Sequence, residues 1–303
     1  MSLSTPVAFL IFNRPELTKI VFAAIRQAKP QKLLVIADGP RFPEEAEKCQ
    51  ETRKVINQID WKCELLTNFS DINLGCEQRV ISGINWVFSQ VEEAIILEDD
   101  CLPSPSFFNF CQTLLEYYRH DPRVLHIGGS QFSSSQDTTS NSYYFSKYGG
   151  TWGWASWRRA WQYFDRDMKT WPEFKADQVI KSICNSLHEQ LYWTTIFERV
   201  FKDEITTCWD YQWLYARWIQ NDLSIVPKTN LVSNIGFGFD ATHTFDLSPV
   251  ANLPTTDIWD IKHPLFMVRD INADNYTFEH YYGGKPKNSY NRLKSKIKRV
   301  FNQ

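Results

Sequence analysis

Short apolar runs alternate with amphipathic stretches through the first 130 residues. Residues 7–12 form an apolar run stopped by Asn13-Arg14-Pro15. Residues 16–27 then place Leu17, Ile20, Val21, Ala24 and Ile25 on one helical stripe. The pattern repeats with strands predicted at 32–37, 63–67, 94–97 and 124–127, and helices at 44–58, 76–90 and 104–120. Strand and helix in this order predict an α/β fold with a mostly parallel sheet and helices on both faces. Continuous apolar content suits strands buried on both sides. Ligands of such sheets bind beyond the carboxyl ends of the strands. Asn13-Arg14, Asp38 and Glu98-Asp99-Asp100 all fall at those ends.

The rhythm changes after residue 128. Residues 130–142 are polar and rich in Ser and Thr, which predicts a surface loop able to order over a ligand as a lid. Gly149-Gly150-Thr151-Trp152-Gly153-Trp154 follows, then predicted helices at 155–164, 187–202 and 211–221 and a strand-like stretch at 223–234. No internal repeat or linker divides the chain, so the second half is read as completing the same domain.

Charge changes this picture at one end only. The net charge of −2 hides seven Lys/Arg and no acid in residues 281–303, which leaves residues 1–280 at −9. An acidic body is a poor general binder of nucleic acid. Within the tail, Leu293, Ile297, Val300 and Phe301 share one helical stripe, the pattern of a basic helix lying on an anionic membrane or of a basic frayed end. The 12 Trp, 13 Tyr and 21 Phe suit either a carbohydrate site or a generous core. Seven cysteines without a C-x-x-C pair argue against a disulfide scaffold or structural zinc and point to a reducing cytoplasm. Neither a signal-peptide pattern nor a membrane-spanning apolar run is expected.

The strongest chemical signal is Ala94-Ile95-Ile96-Leu97-Glu98-Asp99-Asp100. Three adjacent carboxylates at the end of a buried strand repel unless a cation neutralises them. Hard oxygen ligands suit Mg²⁺ or Mn²⁺, which can also bridge a diphosphate. The competing reading is a solvated turn capping the next helix. Asp38, in Asp-Gly-Pro, is a nucleobase or ribose contact or a turn former. Arg14 binds phosphate or uracil, or is simply the exposed residue before Pro15. Arg79, near a helix mouth, reaches a diphosphate or makes a surface salt bridge. Trp152 and Trp154 supply a pocket wall or pack in the core.

Glu98-Asp99-Asp100 followed by Cys101-Leu102-Pro103-Ser104-Pro105-Ser106-Phe107-Phe108 resembles the metal-binding motif of GT-A fold nucleotide-sugar glycosyltransferases, closest to the N-acetylglucosaminyltransferase I-like group. The resemblance extends over roughly residues 5–245. It implies that Asp100 holds the metal and that Asp99 contacts the donor beside Glu98. It also places Asn13 and Arg14 in the turn beside the nucleotide and Asp38 facing uracil. Trp209-Asp210-Tyr211-Gln212-Trp213 is similar to a Trp-Asp-Asp-Trp segment carrying the catalytic base. Tyr211 replaces the second acid, so Asp210 alone inherits that role, with Asp203 and Glu204 in reserve. An inverting transfer needs one such base to take the acceptor hydroxyl proton. The competing role for Asp210 is to cap the helix that follows. The resemblance also offers His243 as a metal or diphosphate ligand, against the reading of a lone surface histidine.

Together these readings give a metal-dependent, inverting glycosyltransferase using Mn²⁺ or Mg²⁺. It would move a sugar, N-acetylglucosamine by resemblance, from a UDP-sugar to a glycan or lipid-linked glycan hydroxyl of the cell envelope. A GT-A domain is expected over 1–245, nucleotide-sugar-binding in 1–128 and acceptor-binding in 129–245, with a C-terminal extension over 246–303. The expected location is cytoplasmic, with peripheral contact to an anionic membrane through residues 285–301. Two alternatives stay open. A sugar nucleotidyltransferase would ordinarily carry a glycine-rich loop where this chain has Asn13-Arg14-Pro15-Glu16. A non-catalytic carbohydrate-binding protein would keep the aromatics and a relict site.

Overall fold

The computed structural model describes residues 3–132, 140–237 and 250–283. The first half runs β1 (Val7–Ile11), α1 (Pro15–Ala28), β2 (Lys32–Ala37), α2 (Ala46–Lys54), β3 (Glu64–Phe69), α3 (Cys76–Gln90), β4 (Glu93–Glu98), β5 (Cys101–Pro103) and α4 (Pro105–Tyr117). The second half adds β6 (Ile127–Gly128), β7 (Tyr143–Ser146), β8 (Trp154–Trp157), α5 (Arg158–Trp161), α6 (Trp171–Ala176), α7 (Ile180–Ile183), α8 (Leu187–Phe201), α9 (Asp210–Ile219), β9 (Ser224–Pro227), β10 (Val232–Asn234) and α10 (Ile271–Thr277). Pro15 and Pro105 open α1 and α4 at the first helical position, where the missing N–H leaves no bond unmade.

Eight strands form one sheet in the order β3-β2-β1-β4-β8-β6-β9-β7. The pairs β1–β2, β1–β4, β2–β3 and β6–β9 are parallel, and β8 runs antiparallel to both β4 and β6. This is the α/β, mostly parallel sheet with flanking helices that the apolar rhythm predicts. Every residue of β1 is buried, as both-face coverage requires. The chain runs outward from β1 through β2 to β3, then returns by α3 to β4 on β1's other side. The switch point therefore lies between β1 and β4, with Leu10 level with Glu98.

Three predicted elements differ. The helix expected at 155–164 is mostly strand, because Trp154–Trp157 pairs with β4 and only Arg158–Trp161 is helical. Aromatics buried on both faces carry no period that separates strand from helix. The stretch at 223–234 splits after Pro227, which has no N–H to extend the ladder. β9 stays in the main sheet, while β10 pairs with β5 in a two-stranded ribbon. The strand expected at 124–127 shortens to Ile127–Gly128.

The described part of the C-terminal extension is strapped to the body. Asp257 accepts from the backbone N–H of Ser106 at 3.1 Å, and Lys262 C=O accepts from Ser142 N–H at 2.9 Å. Buried Asp274 of α10 accepts from Ser146 Oγ at 2.5 Å and pairs with Arg269 at 3.0 Å. The π-helical turn Phe278–Tyr282 follows α10 and packs against α8 and α9. Among the described residues, no helix is long and apolar enough to cross a membrane. His243, residues 133–139 of the expected lid and the tail after residue 283 lie outside the described residues.

Candidate functional site

At the switch point the chain turns from β1 into α1, and this brings Arg14 over the end of β4. Its guanidinium bridges two of the three acids, pairing with Asp99 and with Asp100 Oδ2, the latter at 3.0 Å. The backbone N–H of Phe12 also points to Asp99 Oδ2 at 3.4 Å. Asp99 is buried, whereas Glu98 and Asp100 are partly open. Burial pushes the Asp99 carboxyl up and Arg14 pulls it back; Glu98 is raised by burial and then by Asp100 and Asp99. Arg14, Asp38, Arg79 and the acid triplet all line one cavity of about 290 Å³.

Asp38 holds the rim of that cavity together. Its carboxylate accepts from the backbone N–H groups of Gly39, Leu74 and Gly75 at 2.9, 3.0 and 3.1 Å, and from Asn73 Nδ2 at 3.1 Å. It therefore anchors the loop into α3, and any ligand contact would come on top of that work. Arg79 is not a surface salt bridge. It is buried and donates to Ala37 C=O at 3.2 Å and to Asn68 Oδ1 at 2.7 Å, bracing the ends of β2 and β3. Asn13 does not line this cavity; its amide donates to Glu45 Oε1 at 2.9 Å. Arg41, a lining residue that sequence patterning missed, pairs with the same Glu45 and lies 5.5 Å from the Phe12 ring.

Charge tests the fit of a metal here. Three carboxylates face one guanidinium, so the cluster keeps excess negative charge after Arg14 is counted. Among the described residues no group of three or more His, Cys, Asp or Glu forms a protein cage for an ion. Mg²⁺ and Mn²⁺ do not require one, since they commonly sit on one or two carboxylates plus ligand phosphates and water. The residues present fit an ion held on Asp100 and completed by a bound diphosphate.

A glycine makes room for Asp100. β10 pairs with β5 so that Ile235 N–H donates to Asp100 C=O at 2.8 Å. A Cβ on Gly236 would lie 2.2 Å from Asp100 Oδ2.

A second cavity of about 350 Å³ adjoins the first, with Trp152 and Phe237 lining both. Its wall carries Asp210, Tyr211, Arg217, Tyr281 and Tyr282. Trp209 occupies the N-cap position of α9, so Asp210 is the first helical residue rather than the cap. There the positive end of the helix dipole favours its charge. Among the influences that raise the Glu98 carboxyl, Asp210 comes after burial, Asp100 and Asp99. Arg217 is buried beneath, pairs with Asp222 at 3.6 Å, and its Nε has no hydrogen-bond partner among the described residues. Tyr281 stacks on Phe132 with ring centres 4.4 Å apart, so the C-terminal extension supplies wall to this cavity.

Trp152 and Trp154 part company. Trp152 stands at the junction, edge-on to Phe237 at 5.7 Å and Phe132 at 5.3 Å. Trp154 is fully buried, stacked on His126 at 5.2 Å and Trp209 at 5.7 Å, and belongs to the core, not to the wall. Gly153 separates them with φ +62°, and a Cβ there would strike Val232 at 2.6 Å. The reserve acids Asp203 and Glu204 are exposed and paired with Arg166 and Arg199 on the surface.

No protein-family model matches the chain, and no curated protein matches it. Among solved structures, a UDP-glucose pyrophosphorylase complexed with UDP-glucose is 10% identical, with a TM-score of 0.28, over 47% of this chain and 63% of that one. A CMP:2-keto-3-deoxy-manno-octonic acid synthetase complexed with CTP is 14% identical, with a TM-score of 0.31, over 58% of this chain and 84% of that one. The chain thus spans less than two thirds of the first of these. At such distances neither structure says what this chain does.

The residues that sequence patterning missed have a common origin. Phe132, Tyr192, Phe237 and Tyr281 carry no local motif, and only the packing of distant segments brings them to one cavity. Gly236 could have been found from its place in a Gly/Phe turn after a strand, but its contact with Asp100 spans the ribbon.

Proposed function

We propose that the chain is a nucleotide-sugar-dependent glycosyltransferase. The observation that carries this reading is the junction of two unlike cavities at Trp152 and Phe237. One is acid-lined at the sheet's switch point, and the other is aromatic and contains Asp210. Nucleotide ligands of open α/β sheets bind at such switch points. Aromatic walls suit a sugar ring, whose C–H faces stack on indole and phenol.

In this reading the first cavity takes the UDP-sugar, with Asp99 and Arg14 at the diphosphate side and Asp38 holding the rim. Asp100 would hold Mn²⁺ or Mg²⁺, which supplies positive charge to the departing diphosphate. The second cavity takes the acceptor. Asp210 removes the hydroxyl proton as that oxygen bonds the anomeric carbon and the bond from that carbon to the diphosphate oxygen breaks. His243 remains a proposed metal or diphosphate contact, and N-acetylglucosamine the proposed sugar.

A sugar nucleotidyltransferase would share the first cavity but would need no general base in a second one. The deciding experiment follows UDP release from common UDP-sugars with Mn²⁺ and glycan acceptors, beside pyrophosphate release from UTP with sugar 1-phosphates. The proposal expects UDP release that Asp100→Ala abolishes while the fold survives. Pyrophosphate release without UDP release would replace it with the nucleotidyltransferase reading. Glycan binding that needs neither metal nor UDP, with no turnover, would replace it with a binding protein.

A further inference from the structure

Two polar side chains at the rim of the first cavity are spent on the protein itself. Asp38 accepts from the N–H groups of Gly39, Leu74 and Gly75 and from the Asn73 amide. A carboxylate has about four acceptor sites, so none is left for a base. Arg79 gives Nε to Ala37 C=O, Nη2 to Asn68 Oδ1 and Nη1 to Ser82 Oγ at 3.3 Å. Arg41 lines the same cavity and is placed differently. It follows the end of β2, and β2 and β4 flank β1 on opposite sides. About 10 Å, two strand spacings, separates their ends. With a diphosphate at Asp99 and Asp100 and its sugar toward Trp152 and the second cavity, the β2 side is left for the base.

The Arg41 guanidinium is held in one orientation. Buried Glu45 accepts from the Arg41 backbone N–H at 3.0 Å and from its Nε at 3.0 Å, and pairs with its Nη2. The bonds from Arg41 hold the Glu45 carboxyl below its ordinary value, so it stays charged. The same carboxylate takes the Asn13 amide, which ties the turns after β1 and β2 together. The guanidinium carbon lies 5.5 Å from the Phe12 ring centre and 5.6 Å from that of Phe42. A planar fork fixed on one edge keeps its other edge in a set direction. Nη1, on that other edge, donates to no described residue.

We propose that Arg41, positioned by Glu45, selects the base of the bound nucleotide by donating Nη1 N–H to a ring carbonyl, and so favours uracil over cytosine. Uracil presents the O4 carbonyl, as thymine does, where cytosine presents an amino group that donates. A guanidinium has donors alone, so it bonds the first and opposes the second. Phe12, which also lines the cavity, gives the base an aromatic ring to rest against. The inference rests on the nucleotide-binding reading of this cavity and names the selecting residue within it.

The test is isothermal calorimetry of the full chain with UDP and with CDP, each in the presence of Mn²⁺. The parent is expected to bind UDP about tenfold or more tightly than CDP. Arg41→Met keeps an apolar stem and removes the donors. Its UDP affinity should fall about tenfold to a hundredfold while its CDP affinity holds or rises, so that the preference disappears. Arg41→Lys keeps the ion pair with Glu45 but has no second edge, and should lose the preference at an unchanged thermal midpoint. A parent that binds both nucleotides alike would overturn the proposal. So would an Arg41→Met variant that keeps the preference or weakens both nucleotides equally, and so would an Arg41→Lys variant that still prefers UDP, since a point charge would then suffice. Turnover of a UDP-sugar by a parent without base preference would sink this inference alone. Binding of neither nucleotide would remove the reading of the cavity on which it rests.

Discussion

Gly236→Ala puts the smallest side chain against the residue on which the proposed donor chemistry turns. The new Cβ would meet Asp100 at 2.2 Å from Oδ2, 2.7 Å from Cβ and 2.8 Å from Cγ. Restoring ordinary contact needs a movement of about 1 Å or more. Rotating the carboxylate relieves only part of the clash, because Asp100 Cβ is itself too close. The backbone resists, since Ile235 N–H is bonded to Asp100 C=O and the paired ribbon of β10 and β5 begins at the adjoining Asn234 and Cys101. Overpacking of this kind costs about 1–3 kcal/mol of stability. A displacement of about 1 Å at a reacting site costs on the order of a hundredfold in rate. Urea denaturation should therefore show a modest loss, and turnover of the UDP-sugar a much larger one. A variant that folds normally and turns over within twofold of the parent would refute the reasoning, because Asp100 would then be free to move without consequence.

The other predictions separate roles that the structure places side by side. Asp210→Asn should lower turnover by about 10²–10⁴ while UDP binding, measured by calorimetry, stays near that of the parent; an equal loss of both would make Asp210 a donor contact. Trp154→Ala should cost about 3–5 kcal/mol in urea denaturation, as removal of a large core ring does, whereas Trp152→Ala should cost little stability and lose acceptor-dependent turnover. The reverse ranking would mean that the core and wall assignments are exchanged. Buried His126 accepts from Trp213 Nε1 at Nδ1 and faces Gly150 C=O with Nε2, so it sits as the neutral ring. Burial and then Arg217 hold it well below the usual imidazole value. A depressed folded value means that its contribution is present above about pH 6.5 and is lost as pH falls below that, by up to about 1.4 kcal/mol per pH unit. The stability difference between the parent and His126→Gln should therefore shrink on acidification, the background from other titrating groups cancelling in the difference; parallel profiles would sink this reading.

How much of this was legible in advance depended on whether the information was local. The ends of β1, β2 and β4 were readable because each apolar run stops abruptly at polar residues, and a parallel sheet gathers such ends on one rim. That places Arg14, Asp38 and the acid triplet in one cavity. It does not reveal that Arg14 clasps Asp99 and Asp100 across some 85 residues of chain, a pairing that exists because β1 and β4 are neighbours. Asp38 and Arg79 show the opposite failure. Both have the residue type of a ligand contact, yet their polar atoms are largely committed to backbone groups that close the loop into α3 and brace the ends of β2 and β3. A buried ionic group must be satisfied somewhere, and sequence shows the need without showing the partner.

The two tryptophans show why side-chain direction was the least legible feature. Residues two apart on a regular strand face the same side, so a uniform strand would send Trp152 and Trp154 together into core or cavity. Gly153 breaks that rule with its left-handed φ, which it can adopt because it has no Cβ, and Val232 leaves no space for one at this point. The flanking glycines in the sequence announce a tight backbone but not its hand. Once the turn is made, Trp154 must join the ring cluster of His126, Trp209 and Trp213, and Trp152 is left at the mouth between the two cavities. Any side chain at 153 should therefore disturb both the core and the junction at once, and Gly153→Ala would lose stability and turnover together, where Trp154→Ala and Trp152→Ala separate them.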